Sequence, residues 1–551
     1  MNLPHFAQVR DRLAAAQVLA RRGMVDLRRP DEAVRAFMAI RRYGAFGGLV
    51  ANTAARYGDA PAITDERGTV SFRELDETSN ALARGLVAKG IRAGAVIATL
   101  HRNSRDVMVT VSAANKIGVR TVLMNTGFAG PQLVDVSARE HVSAILVDDE
   151  FKDILTTLPP ETLRFTSSRS DELIDHQSTS RLPAPQQPGG MALLTSGTTG
   201  TPKGVPRNRI DPSQSAQLLD RIPWPSDGAY YIAAPLFHAT GLATCAMGLA
   251  LGNHVVMARR FDAEATLKAI AEYRVGALVL VPTMLQRILD LGPDVLAKYD
   301  TSSLKVLFAA GSSLSPDLCR RTDDAFGAVL YNLYGSTEVA VAAVATPDEL
   351  RRAPGTVGRP PVGCRVAIYD ENRRKVTEPG RVGTLFVSSG LSFSGYTDGA
   401  NKEIVDGLLS TGDTGHFDES GLWFIDGRDD DMIVSGGENV FPLEVENLLA
   451  DHAGIVEAAV VGVDDAEFGK RLAAFVVSRP DSGLDADGVK SHVRAHLARH
   501  KVPRDVVFVK QLPRNETGKV LRRQLTPTPD PHDYETSASK SALRSGGKSS
   551  A

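Results

Sequence analysis

Leu193-Leu194-Thr195-Ser196-Gly197-Thr198-Thr199-Gly200-Thr201-Pro202-Lys203-Gly204 joins an apolar strand to a run of glycine and hydroxylated residues. Glycines let the backbone bend until successive N–H groups face inward, which makes a pocket for phosphate oxygens. The Ser and Thr hydroxyls add donors, and Lys203 adds a positive charge. A Walker A loop needs Gly at position 202 and Ser or Thr after the lysine, whereas Pro202 and Gly204 stand there.

Working outward, residues 46–427 read as α/β. Short apolar runs, Ala144-Ile145-Leu146-Val147, Ala277-Leu278-Val279-Leu280-Val281 and Val306-Leu307-Phe308-Ala309, alternate with helical periodicity. That pattern predicts largely parallel sheets buried on both faces. Residues 166–190, rich in Ser, Pro and Gln, read as an exposed loop. Residues 239–258 are interrupted by glycines, Asn253 and His254, and read as a buried helix followed by a strand rather than a membrane span. Residues 431–525 read as a small α+β domain with a helix near 444–450 and strands near 458–461 and 473–477. Residues 526–551 hold too few apolar side chains to pack and read as a disordered tail.

At 551 residues the chain is too long for one core and implies two or three domains. It is 43% hydrophobic and 23% charged with a net charge of −2, so nothing global points to nucleic acid. Cys245, Cys319 and Cys364 lack metal-ligand spacing and fit buried fillers in a reducing cytoplasm. The first ten residues lack the apolar core of a secretory signal.

Residues 1–45 form a basic extension, with nine arginines against Asp11, Asp26, Asp31 and Glu32. Pro30-Asp31-Glu32 predicts a helix start, and Val34, Phe37 and Met38 an apolar stripe. Two readings stand: a helix packed on the main domain, and an amphipathic helix in peripheral contact with an anionic inner-membrane surface.

Further segments follow the phosphate loop in order: Pro235-Leu236-Phe237-His238; Gly311-Ser312-Ser313; Tyr334-Gly335-Ser336-Thr337-Glu338; Ser410-Thr411-Gly412-Asp413; Gly427-Arg428-Asp429-Asp430-Asp431; Ser435-Gly436-Gly437-Glu438; and Pro513-Arg514-Asn515-Glu516-Thr517-Gly518-Lys519. Together with Ser71-Phe72-Arg73-Glu74-Leu75, they resemble the adenylate-forming superfamily of acyl-CoA synthetases, luciferases and peptide-synthetase adenylation domains. The resemblance covers roughly residues 46–525.

It implies an α/β fold in which a large N-terminal domain with mostly parallel sheets flanked by helices (46–427) is joined through a hinge (428–430) to a small mobile α+β domain (431–525). It also implies an AMP-forming acyl-CoA synthetase of the fatty acid–CoA ligase type, using ATP, Mg²⁺ and coenzyme A. By resemblance, Thr195, Ser196, Gly197, Thr198, Thr199, Gly200 and Lys203 hold the ATP phosphates. Tyr334 stacks on adenine beside Gly335, Thr337 contacts the α-phosphate, and Glu338 holds Mg²⁺. Gly311, Ser312 and Ser313 border adenine and the acyl pocket; Asp413 binds the ribose hydroxyls; Arg428 reaches ribose or phosphate. Asp430 is the hinge, and Gly436 and Gly437 line the pantetheine path. Lys519 bridges carboxylate and α-phosphate. His238 and Gly241 wall the acyl pocket, with His238 a pocket residue rather than a base.

Many relatives carry a histidine just after the loop, where this chain has Pro206-Arg207-Asn208-Arg209. Residues 239–251, rich in Gly, Ala and Thr, leave room for a bulky acyl group, and no charged residue there suits a polar side chain. A medium- or long-chain fatty acid is therefore the expected substrate. The alternatives are a fatty acyl-AMP ligase that feeds a carrier protein, an aryl-CoA ligase, and a catalytically silent nucleotide-binding scaffold. The last predicts loss of Lys519, Glu338 or Asp413, and all three are present. Whether the chain is a homo-oligomer is left open.

Overall fold

In a computed structural model, the apolar runs become strands flanked by strands on both sides. The structure describes residues 3–194, 203–207, 212–226, 228–390, 395–397, 399, 401–435, 438–465, 469–480, 482–515 and 518–527, with backbone only at 3–9, 169–170, 207, 212–214, 430, 434, 438–439 and 469. Strand Val275–Leu280 runs parallel between Ala229–Ile232 and Val306–Ala310, with Ala277 opposite Val306 and Val279 opposite Phe308. Every residue of Val275–Leu280 and Val306–Ala310 is buried, as befits strands covered on both faces.

These strands belong to an eight-stranded sheet, continued by Leu330–Tyr334 and Ala343–Ala345 on one side and by His254–Val256, Pro61–Asp65 and Gly68–Ser71 on the other. A six-stranded sheet has the order Leu163–Thr166, Val142–Val147, Val96–Leu100, Arg120–Leu123, Met191–Leu194, Gly204–Arg207. Its pairings are parallel except the last, where Met191–Leu194 meets Gly204–Arg207 antiparallel. The phosphate loop thus connects two neighbouring strands at a sheet edge. A third sheet, antiparallel, holds Arg365–Tyr369, Gly383–Ser388 and Leu408–Phe417, with Trp423–Arg428 paired to the last.

Local chemistry sets the helices. Helix Phe72–Ala88 begins with a capping box: the Glu74 N–H donates to Ser71 Oγ at 3.1 Å, and the Ser71 N–H donates to Glu74 Oε2 at 2.7 Å. At the N-terminus, α1 (Leu3–Arg21) and α2 (Pro30–Tyr57) precede the sheets, and α2 starts with Pro30 and two acids as the sequence predicts. Both pack on the large unit. Ala15, Val18 and Leu19 of α1 are buried. Arg22 donates to the Leu219 and Asp220 carbonyls, at 3.0 and 3.1 Å, at the end of α3 (Pro212–Asp220), where helix carbonyls lack intrahelical partners. No helix among the described residues is long and apolar enough to cross a membrane.

Residues 239–258 form α4 (Ala239–Ala250) and strand His254–Val256, as expected. The loop expected at 166–190 needs correction. Ser167–Ile174 is helical, and Leu173 and Leu182 are buried. Helix Phe72–Ala88 binds the rest of the segment by its carbonyls, with Asn80 donating to Thr179 at 3.0 Å and Arg84 to Ser178 and Ser180 at 2.8 Å. Two leucines and a row of backbone acceptors suffice to pin a polar segment.

The chain divides into two compact units, Met1–Asp426 with Glu516–Lys519, and Gly427–Asn515 with Val520–Ala551. In the second, strands Ile455–Asp465 and Gly469–Ser478 pair antiparallel, and Asp505–Phe508 adds a parallel edge. Helices Pro442–Ala450 and Ala486–His496 bury Val445, Leu449, Val489 and Val493 in a core shared with these strands. Arg522, part-buried, is satisfied by Glu446 at 2.9 Å and the Val460 carbonyl at 2.7 Å.

His416 Nδ1 lies 2.8 Å from Asp426 Oδ2, and the ring stacks on Phe424. The hydrogen bond to Asp426 outweighs burial and raises the imidazole pKa above its ordinary value. This contribution is fully present below pH ~6.5 and is lost as pH rises through the folded-state pKa. Asp426→Asn should cost about 1–2 kcal/mol in urea unfolding at pH 5.5 and clearly less at pH 9; an equal loss at both would disprove the coupling.

Candidate active site

Strand Leu330–Tyr334 ends at Tyr334, and residues 335–340 turn back on themselves. A helix start capped by Ser336 or Thr337 would be one reading of this sequence. The structure has a turn instead, in which Ser336 Oγ accepts weakly from the Glu338 and Val339 N–H groups. The turn closes so tightly that a Cβ on Gly335 would sit 1.9 Å from the Ala340 carbonyl oxygen. Only glycine fits there.

The closure aims two side chains at groups far away in sequence. The Tyr334 hydroxyl donates to Asp413 Oδ2 at 2.6 Å, across from strand Leu408–Phe417. Glu338, 8% exposed, accepts from the Tyr396 hydroxyl at 2.6 Å. Burial opposes its charged form, but the Tyr396 bond and the nearby Lys402 charge prevail and hold its pKa below the usual carboxylate range. Lys402 is itself anchored on the Thr411 carbonyl at 2.8 Å. On the other side, Lys203 Nζ lies 5.0 Å from the centre of the Tyr396 ring, a cation–π distance. Tyr396 therefore links the end of the phosphate loop to Glu338. The next residue, Thr397, ties the loop down, donating its N–H to the Gly204 carbonyl at 3.0 Å and its hydroxyl to the buried Glu140 at 2.7 Å.

His238 directly precedes α4, packs on the Phe237 ring, and is part-buried, with no hydrogen-bond partner for its buried Nε2 among the described residues. Burial, and after it the charge of Lys519, lowers its pKa to about 3. The ring is neutral at physiological pH and a weak base. A cavity of 1210 Å³ opens beside these residues, lined by Ala239, Leu242 and Ala243 of α4, by Phe308 and Leu333 of neighbouring strands, and by Val341 beyond the turn.

The structure thus brings together Tyr334, Glu338, Asp413 and Lys203, and puts Lys519 within electrostatic reach of His238. Gly311, Ser312 and Ser313 follow strand Val306–Ala310, Thr337 lies within the turn, and Gly241 in the first turn of α4. Arg428 ends strand Trp423–Arg428, and Asp430 lies in the short 3-10 turn Asp429–Asp431. Thr195, Ser196, Gly197, Thr198, Thr199, Gly200, Gly436 and Gly437 lie outside the described residues. Tyr396, Thr397, Lys402 and Glu140 escaped the sequence reading. Of these, Tyr396 carries a faint signal, an aromatic in a Gly/Ser/Thr stretch. One group among the described residues has metal-ligand spacing, His101, Asp106 and Asp148. Arg259 already pairs with Asp148 at 3.0 Å and Arg67 with Asp106, so no cation is needed.

Residues 50–397 match the AMP-binding enzyme family and residues 444–519 its C-terminal domain, and the chain belongs to this family. It is 32% identical to indoleacetate–CoA ligase of Aromatoleum aromaticum, over 84% of this chain and 93% of that one. It is 31% identical to a fatty acid–[acyl-carrier-protein] ligase of Streptomyces coeruleorubidus, over 84% and 92%. The o-succinylbenzoate CoA synthetase of Bacillus subtilis, solved with its acyl-adenylate intermediate, superposes with a TM-score of 0.76 at 27% identity, covering 87% of this chain and 98% of that one. The chain is an AMP-forming acid–thiol ligase, consistent with ATP and CoA as co-substrates.

Tyr396→Phe keeps the ring over Lys203 but removes the donor to Glu338. The Glu338 pKa should rise, so the acid limb of the pH profile for AMP formation should move to higher pH, with kcat/KM down about tenfold at neutral pH. An unmoved acid limb would show that the Tyr396 bond does not hold this charge.

Proposed function

We propose that the protein activates a medium- or long-chain fatty acid with ATP and transfers the acyl group to CoA. The observation that carries this reading is the cavity, which is lined beside Ala239 and Leu333 by apolar and small side chains, its charged residues, such as Arg29, Glu32, Arg56 and Asp76, lying on other elements. Its 1210 Å³ exceeds the ~300–1,000 Å³ of ordinary small-molecule sites and the needs of a single aromatic ring.

In the first half-reaction a carboxylate oxygen attacks the α-phosphorus of ATP and the bond to pyrophosphate breaks. Thr195–Gly200 and Lys203 would cradle the phosphates, Tyr334 would stack on adenine near Gly311, Ser312, Ser313 and Gly335, and Asp413 and Arg428 would bind the ribose side. Lys519 would lie between carboxylate and α-phosphate, where a compact ammonium offsets the repulsion of two anions. Thr337 would donate to the α-phosphate. Buried, ionised Glu338 fits a magnesium ion, which when bound offsets phosphate charge. In the second half-reaction the CoA sulfur attacks the acyl carbon, AMP leaves and the thiol proton is released. The second unit would turn about Asp430 for this step, bringing Gly436 and Gly437 to the pantetheine arm.

A second reading, an aryl-CoA ligase, is favoured by the names of the indoleacetate and o-succinylbenzoate relatives. Incubation with ATP, Mg²⁺ and a panel of aliphatic and aromatic acids, with and without CoA, separates the two. Expected are AMP and CoA thioester from octanoate to palmitate, with Lys519→Ala cutting adenylation by at least a hundredfold. Turnover of aromatic acids alone would transfer the assignment to the second reading, and acyl-AMP that never reaches CoA would point to a carrier-protein acceptor.

A further inference from the structure

The family match starts at residue 50, yet the cavity does not stop at the elements inside that match. Helix α2 breaks at Gly44, whose φ of 76° and ψ of −177° no helix contains. The chain folds back there into a helical hairpin. The two arms touch backbone to backbone, since a Cβ on Gly48 would fall 2.4 Å from Ile40 Cα. Glu32 on the first arm pairs with Arg56 on the second at 3.3 Å, and with Arg29 at 2.9 Å. The second arm is fixed to the large unit through Phe46 and Val50, both buried, and through the Phe46 N–H, which donates to Asn115 Oδ1 at 3.2 Å. The first arm is held by Tyr43, whose hydroxyl donates to the Leu182 carbonyl.

So held, the first arm presents Ala36, Phe37, Met38 and Ile40 to the cavity, and the α1–α2 connection adds Met24 and Val25. Phe37 and Met38 are 56% and 55% exposed. Large apolar side chains left this open on a fixed helix, in the wall of one cavity, lack the cover that apolar surface calls for. The opposite wall is α4, through Ala246, Met247 and Ala250, and the same cavity reaches Leu333 and Val341 at the catalytic turn. Charged residues line the same cavity, among them Arg29, Glu32, Arg35 and Arg41 on and beside the first arm, so an acyl group with its carboxylate beside Lys519 and His238 would follow the apolar side, past α4, towards the hairpin.

We propose that the N-terminal hairpin is the receptacle for the distal end of the aliphatic tail, with Ala36, Phe37 and Ile40 setting the chain length. This rests on the fatty-acid reading above. Each methylene that reaches the receptacle adds about fourfold to kcat/KM, the value of burying one CH₂ group. Acids too short to reach it gain nothing from it.

Two measurements test this on the full chain. Wild-type protein is photolysed with ATP and a palmitate analogue bearing a terminal diazirine, and the adducts are mapped by mass spectrometry. Adducts within residues 24–40 are expected; adducts confined to α4 and the neighbouring strands overturn the proposal. In parallel, Ala36→Trp fills the receptacle and should lower the palmitate-to-hexanoate ratio of kcat/KM at least tenfold and shift the optimum to shorter acids. A chain-length profile identical to wild type overturns it too. If the wild-type protein activates no aliphatic acid at all, the fatty-acid reading fails first, and that outcome is distinct from activity with an unchanged profile.

Discussion

A carboxylate that is nine-tenths buried stays charged only if its neighbours hold it so, and much of the region around the turn serves to hold Glu338. Its partners come from distant parts of the chain. Tyr396 donates to it, Lys402 adds a positive charge, and Lys203 sits against the other side of Tyr396. Asp413 is served in the same way by Tyr334. Phenolic donors suit this task because they steady a carboxylate without consuming its charge, so it keeps its attraction for a cation or a hydroxyl.

That arrangement sets requirements on the backbone. Glu338 and Tyr334 reach different partners only because the turn between them is tight, and the turn is tight only because Gly335 has no Cβ to meet the Ala340 carbonyl. The turn sits at the end of a strand in a sheet buried on both faces, so its position is fixed by apolar packing that plays no part in the chemistry. Strand Met191–Leu194 and the edge strand Gly204–Arg207, paired antiparallel, hold the ends of the Gly/Thr loop, and Thr397, itself bonded to Glu140, pins the second of them through the Gly204 carbonyl. Rigid sheets supply the geometry, and short loops at their edges carry the functional groups.

The N-terminal helices bring in a different kind of order. Their surface is rich in arginine, which on sequence grounds fits either a packed helix or a membrane-facing one. Arg22 is used to close the carbonyl end of α3, and the buried face of α1 is small, with Ala15, Val18 and Leu19. The stripe of Val34, Phe37 and Met38, which in an ordinary amphipathic helix would be core, stays largely open; the helix breaks at Gly44, and Phe37 and Met38 line the cavity.

The sequence by itself determined the class. Local chemistry wrote the capping box at Ser71, the continuous apolar runs of the parallel strands, the Gly/Thr loop, and the order of motifs through Lys519, all of them legible because they depend on neighbours in the chain. Tertiary structure alone decided the pairings that span long separations: Tyr396 with Glu338 across 58 residues, Tyr334 with Asp413 across 79, and Thr397 with Glu140 across 257. It also decided that residues 166–190 pack, that His238 is neutral, and that an N-terminal hairpin walls the cavity. The physical reason is the same in each case. A side chain's partner, its exposure and hence its charge state depend on which distant segments the sheets bring alongside it, and no local pattern of residues records that choice.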